Sequence, residues 1–160
     1  MKDMEEVVGD LLTSQHKTIA CAESCTGGLL TSRLTDIAGS SAYVMGSVVC
    51  YTNRIKEQLA GVQPETIAAY TEVSAETARE MAAGIRQRIA TDIGVGITGL
   101  AGPGGGTKGQ PVGLVYIAVA GDHGTVVREN HFRGSRKEIK QQSAETALQM
   151  IHDYLSGGTF

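Results

Sequence analysis

The sequence predicts an α/β fold, a three-layer α/β/α sandwich around a mixed sheet of about five to six strands. Three observations point there. Short apolar runs alternate with amphipathic helical segments, the pattern of a sheet covered on both faces. Two of those runs, Thr18-Ile-Ala-Cys-Ala and Ile93-Gly-Val-Gly-Ile, read as buried strands that lead into glycine-rich turns. A terminal pair of strands joined at Gly121-Asp-His-Gly adds a hairpin, which makes the sheet mixed.

The elements follow in order. Met4 to Gln15 carries Met4, Val7, Val8, Leu11 and Leu12 at helical spacing. Lys17 to Ala22 is the first strand, and Gly27 to Thr35 a helix with Leu29, Leu30 and Leu34 inward. The turn Ala38-Gly-Ser-Ser leads into a strand over Val44 to Tyr51. Arg54 to Ala60 is a short helix ended by Gly61. Ser74 is an N-cap, with Glu76 in the first turn, for a helix to about Ala90 whose inward face is Ala78, Met81, Ala82, Ile85 and Ile89. Strands follow at Asp92 to Thr98, Val112 to Ala120 and Thr125 to His131, the last two joined by a four-residue loop. Ser135 to Leu155 closes the chain as an amphipathic helix with Ile139, Ala147, Leu148, Ile151 and Leu155 on one side, and Gly157 to Phe160 is expected to be a frayed tail. No linker or internal repeat interrupts this order, so residues 1–160 are expected to form one domain.

Composition narrows the function. At 160 residues, 41% hydrophobic and 19% charged, the chain is expected to be a soluble domain with a proper core. A net charge of -3 argues against generic nucleic-acid binding, which wants a basic face. No run approaches the roughly 18 apolar residues of a membrane span, and Met1-Lys-Asp-Met-Glu-Glu has no signal-peptide core. Cys21, Cys25 and Cys50 fit no zinc spacing, and Cys21 and Cys50 lie in apolar runs. They read as reduced packing residues of a cytoplasmic protein. No metal site and no cofactor is expected.

The two glycine-rich turns are where ligand chemistry is expected. Without a Cβ, glycine lets backbone N–H groups approach a ligand closely, and a turn that opens a helix offers free N–H groups to an anion. A pocket for a small phosphorylated or carboxylated ligand follows, with Ser24, Thr26, Gly27 and Gly28 on one turn and Thr98 and Gly99 on the other. Ser24 and Thr26 also suit helix capping, and Glu23 suits either ordering the turn or contacting ligand hydroxyls. Cys25 sits in the same polar turn. Ser40 and Ser41 follow Gly39 in a further turn, and a serine becomes a nucleophile only with a base to take its proton. The four histidines stand in no triad-like spacing. A lysine of lowered pKa is the alternative base, and Lys56 is the lysine nearest a strand end, against the plain reading of a solvated helix lysine. Phe132-Arg133-Gly134-Ser135-Arg136 puts two guanidiniums where the last helix begins, either to clamp an anion or as a solvated turn.

These motifs together resemble the CinA C-terminal domain family, whose active members are nicotinamide mononucleotide deamidases. The resemblance rests on AESCTGG at 22–28, TDIAGSSAY at 35–43, YTN at 51–53, GITGLAGPGGG at 96–106 and PVGLVYIA at 111–118. It runs almost end to end, so a stand-alone form of that domain is expected. It implies metal-independent hydrolysis of the carboxamide of nicotinamide mononucleotide by a Ser/Lys dyad. The family's nucleophile falls on Ser41 and its lysine on Lys56, with Tyr51 tuning or relaying through its hydroxyl. Supporting positions fall on Ser24 and Thr98, which with turn N–H groups would stabilise the oxyanion or hold the nucleotide, and on Arg136, which with a glycine-rich turn would take the 5′-phosphate. Gly104 stands where many relatives have Asp, and Arg133 is an extra cation.

One geometric difficulty belongs to the sequence itself. A strand over residues 44–51 would span about 25 Å at roughly 3.3 Å per residue and hold Ser41 and Lys56 at opposite ends. Either the segment from Ser41 folds back as a helical turn before a shorter strand, or the dyad is completed across subunits of a homo-oligomer, the favoured expectation. Two rivals stand beside the enzyme: a silent nucleotide-binding module, which needs neither Ser41 nor Lys56, and a competence- or damage-related interaction protein. Neither nucleic acid nor membrane is an expected partner.

Overall fold

In the computed structural model, which describes residues 1–157, one five-stranded sheet carries helices on both faces. Helix α1 spans Met4–Ser14 and strand β1 Ile19–Glu23. Helix α2 (Leu29–Thr35) and a 3-10 turn (Ser40–Ala42) lead to β2 (Val44–Val49). Then come α3 (Asn53–Ala60), α4 (Pro64–Tyr70), α5 (Ala75–Ile89), β3 (Ile93–Gly99), β4 (Leu114–Gly121), β5 (Gly124–His131) and α6 (Arg136–Leu155). The strand order is β2-β1-β3-β4-β5. β1 runs parallel to both β2 and β3, while β3–β4 and β4–β5 are antiparallel.

Alternation along the strands sorts the core into two chemistries. Ile19, Cys21, Ile93, Val95, Ile97, Val115, Ile117 and Val119 point to one face, where α1, α2 and α6 cover them with Val8, Leu12, Leu30, Leu34, Leu148 and Ile151. The opposite face is built of small residues: Ala20 and Ala22, Gly94 and Gly96, Ala118 and Ala120. Helix α5 settles onto this flat surface so closely that a Cβ on Gly96 would stand 2.5 Å from the Ala78 carbonyl oxygen and 2.7 Å from Ala82 N. Gly84 of α5 meets α3 in the same manner, its would-be Cβ 1.8 Å from the carbonyl oxygen of Ala60. The sheet, α5 and α3 are thus held at distances that only glycine permits.

The structure bears out the mixed sheet and the three layers, with five strands. It differs from expectation at several boundaries. α4 is an additional helix that opens on Pro64 and buries none of its residues, so no apolar stripe announces it. β2 stops at Val49 rather than Tyr51. Gly121 pairs with Gly124, so the hairpin turns through Asp122 and His123 alone, not four residues. Ser135 forms a full capping box with Glu138 at the start of α6. Of the expected frayed tail, residues 158–160 lie outside the described residues. Among the described residues no helix is long and apolar enough to cross a membrane.

The close seat of α5 generates a stability prediction. Gly96→Ala forces a methyl into the backbone of α5 and should destabilise the fold by about 1–3 kcal/mol, the usual cost of overpacking. A fall in the urea midpoint checks it; an unchanged midpoint would show that α5 can retreat from the sheet without loss.

Candidate active site

The parallel strands end together. Connections from β1 and β2 leave toward opposite faces through α2 and α3–α5, which opens a crevice at the carboxyl ends of β1 and β3. A cavity of about 290 Å³ occupies it. Ser24 and Cys25 line it from the first glycine-rich turn, and Thr98, Gly99, Ala101, Gly102 and Gly104 from the second. Lys56, Glu72 and Arg136 supply its charges.

Glu23 fixes the first turn. Its carboxylate is fully buried and accepts from Thr26 Oγ1 at 2.7 Å, Leu30 N at 2.9 Å, Thr31 N at 2.9 Å and Thr31 Oγ1 at 2.5 Å. It therefore caps α2, whose own N-cap position is Gly28 with no side chain to offer. Of the two roles open to Glu23, ordering the turn is the one its bonds perform. The start of α2 already holds an anion, and Thr26, Gly27 and Gly28 do not line the cavity. Those three positions, expected to touch ligand, lie in the turn outside the cavity lining.

Lys56 is the centre of the site. It lies in the first turns of α3 with 2% of its surface exposed, and its Nζ donates to Ser24 Oγ at 3.0 Å. Helix α3 turns Lys56 and Ala60 inward and leaves Leu59 46% exposed, the reverse of what hydrophobicity dictates. Burial lowers the pKa of Lys56 from the ordinary 10.5, while Cys50, Glu72 and Cys25 push weakly the other way. A buried amine of lowered pKa hydrogen-bonded to a serine hydroxyl is the arrangement that a general base and its nucleophile require. Cys25 is a poorer candidate, since burial pushes its thiol up to about 12.

Ser41 does not join this pair within one chain. It sits exposed in the 3-10 turn before β2, next to the end where Val44 pairs with Ile19. Lys56 follows the other end, where Val49 pairs with Glu23. The turn and the shorter strand that the sequence allowed are both present, yet a strand of six residues still holds Ser41 roughly 20 Å away at about 3.3 Å per residue.

The rim is polar. Arg136, in the first turn of α6, donates to the Gly102 carbonyl at 2.6 Å and to Tyr51 Oη at 2.9 Å. One guanidinium thus ties α6, the second glycine-rich loop and the segment after β2 around the opening. Arg133 does not line the cavity. Thr98 is buried and donates its hydroxyl to the Glu72 carbonyl at 2.6 Å. Gly99 lets β4 approach, since a Cβ there would lie 2.7 Å from the Leu114 carbonyl oxygen. Glu72 and Asn53 also line the cavity and carry no sequence signal of it. No motif flags Glu72, whose place depends on an unusual backbone at Thr71. Among the described residues no group of three His, Cys, Asp or Glu side chains is placed to hold a metal ion.

Comparison with known proteins shows the family and supports the fold. A family model for the CinA C-terminal domain matches residues 1–155. The chain is 50% identical over 148 residues to a putative competence-damage inducible protein of Moorella thermoacetica, covering 92% of this chain and 36% of that protein. A CinA-like protein of Acidobacterium capsulatum is 47% identical, again across 92% of this chain and 36% of its own length. The chain thus spans little more than a third of these curated relatives. Among solved structures, the competence/damage inducible protein CihA of Agrobacterium tumefaciens superposes with a TM-score of 0.90 at 39% identity, covering 98% of this chain and 97% of that one. A CinA superfamily protein of Klebsiella pneumoniae gives 0.92 at 29% identity, covering 98% and 99%.

The burial of Lys56 predicts a pH-dependent cost. Its folded pKa lies below its unfolded one, so folding is fully penalised below the folded value, and the penalty fades as pH climbs toward 10.5. Lys56→Met should therefore stabilise the fold at neutral pH, by about 0.5–2 kcal/mol, with the gain shrinking as pH rises. Urea unfolding over a pH series checks this; a variant less stable than wild type at pH 6 would contradict it.

Proposed function

The chain belongs to the CinA C-terminal domain family, and from that premise we propose that it is an amidohydrolase that converts nicotinamide mononucleotide to nicotinic acid mononucleotide and ammonia. The observation that carries the reading is the buried Lys56 amine 3.0 Å from Ser24 Oγ in a cleft between two glycine-rich turns. That geometry supports Ser24, rather than Ser41, as the nucleophile paired with Lys56 in a single chain.

The chemistry runs in two halves. Ser24 Oγ attacks the carboxamide carbon while neutral Lys56 takes its proton. The tetrahedral intermediate collapses as the C–N bond breaks, and Lys56 passes the proton to the departing nitrogen, which leaves as ammonia. Water then attacks the acyl-serine ester, Lys56 accepts its proton and returns one to Ser24 Oγ, and the carboxylate product is released. The backbone N–H groups of Ala101 and Gly102, which bond to no other backbone carbonyl among the described residues, are suited to the developing oxyanion. Arg136 is suited to the 5′-phosphate, with Tyr51 holding the guanidinium in place.

A second reading keeps Ser41 as nucleophile, delivered by a second copy in a homo-oligomer. One observation favours it. The outer edge of β2 carries no charged residue and leaves Met45 and Val49 about half exposed, whereas the other edge strand, β5, carries Arg128 and Glu129. The names of the relatives, which speak of competence and damage, suggest a role as an interaction protein, and the acidic balance of this chain counts against a nucleic-acid partner.

Ammonia release from nicotinamide mononucleotide by purified protein tests the reading. Ser24→Ala should abolish turnover while retaining ligand binding. Lys56→Ala should lower kcat by about 10²–10⁴-fold, and Lys56→Arg should not restore it because a guanidinium stays protonated. Arg136→Ala should weaken binding by about 1.5–3 kcal/mol. Full activity in Ser24→Ala together with its loss in Ser41→Ala would replace the first reading by the second.

A further inference from the structure

The mechanism leaves one charged group in the cleft unused. Glu72 contributes its backbone carbonyl to Thr98, yet it is the only residue with a carboxylate among the described residues that line the cavity. It accepts no hydrogen bond and forms no ion pair among the described residues. The group that feels it is Lys56, whose charged form it favours.

The backbone that presents Glu72 is strained and held from three sides. Thr71 has φ 70° and ψ 172°, a conformation that L side chains rarely adopt and that costs about 1–3 kcal/mol. Its N–H donates to the Ile67 carbonyl at the end of α4. Its carbonyl accepts from Ser74 Oγ at 3.1 Å and Thr77 Oγ1 at 2.8 Å at the start of α5. From the loop between β3 and β4, Gln110 Nε2 reaches Thr71 Oγ1 at 3.1 Å and the Val73 carbonyl at 2.7 Å. Strain that persists under such a frame marks a segment whose placement matters.

The charges of the cleft then divide by task. Arg136 at the rim is matched to an anion, and Lys56 must be neutral to act as a base. A lone carboxylate opposes both, unless the ligand brings a positive charge of its own. We propose that Glu72 is a specificity-determining residue that recognises a cationic aromatic ring, so that the oxidised, pyridinium form of the nucleotide is preferred over its neutral dihydro form. This rests on the amidohydrolase reading and narrows its substrate class.

The test measures kcat/KM for oxidised and reduced nicotinamide mononucleotide with wild type and Glu72→Gln. The dihydro ring makes its amide less electrophilic whatever the protein does, so the diagnostic quantity is the change in the oxidised-to-reduced ratio between the two proteins. Glu72→Gln should lower that ratio about tenfold, between the effects of exposed and desolvated charge pairs, and mostly through KM for the oxidised form. Equal losses on both nucleotides, or an unchanged ratio with only a displaced acid limb of the pH profile, would overturn the proposal and make Glu72 a modulator of Lys56. If neither nucleotide turns over, the amidohydrolase reading fails, and calorimetric titration of both into wild type and Glu72→Gln decides the proposal separately. Preference for the oxidised form that the substitution removes sustains it; equal binding of the two, or binding of neither, overturns it.

Discussion

A buried carboxylate that forms no ion pair among the described residues organises this molecule. Glu23 is sealed from solvent at the end of β1, where an unpaired charge would cost several kcal/mol. Two backbone N–H groups at the start of α2 and the hydroxyls of Thr26 and Thr31 offset that cost, helped by the positive end of the helix. Thr31 Oγ1 passes the connection to Ser47 of β2 at 2.8 Å, and the Glu23 carbonyl accepts from Cys50 N at 2.8 Å. One residue thereby joins β1, α2 and β2, and the next residue along the chain is Ser24. The proposed nucleophile is placed by what its neighbour must satisfy.

Lys56 depends on a different constraint, the contrast between the two faces of the sheet. Large aliphatic residues on one face keep α1, α2 and α6 at ordinary packing distance, and an ion-pair group of Arg33 with Glu5 and Glu145 links those three helices. On the other face, alanine and glycine let α5 come close, and Gly84 draws α3 after it. That descent carries Lys56 beneath the surface and brings the segment before α5, with Glu72, to the cleft. A buried amine is a stability cost retained where a base of lowered pKa is useful.

Much of the fold was legible because periodicity and capping report on packing directly. Ala78, Met81, Ala82 and Ile85 are buried as their spacing requires, and Ser74 and Ser135 cap the helices they precede. The glycine-rich turns were legible as one cleft, since both follow buried strands. The roles within the first turn were not, because capping of α2 by Glu23 crosses seven residues and leaves no local spacing to read. Lys56 was recognisable through the family's motif order and not through its helix, where Leu59 is the residue that looks buried. α4 buries nothing and so left no pattern. Glu72 was invisible because a positive φ at a threonine has no sequence signature.

Ser24, activated by a neutral Lys56, is proposed to carry the acyl group in the reaction. Acid quenching of the purified protein during turnover of nicotinamide mononucleotide, followed by peptide mass spectrometry, tests it directly. The account predicts a nucleotide acyl adduct on Ser24 that is absent from Ser24→Ala. An adduct on Ser41 or Cys25 would contradict it.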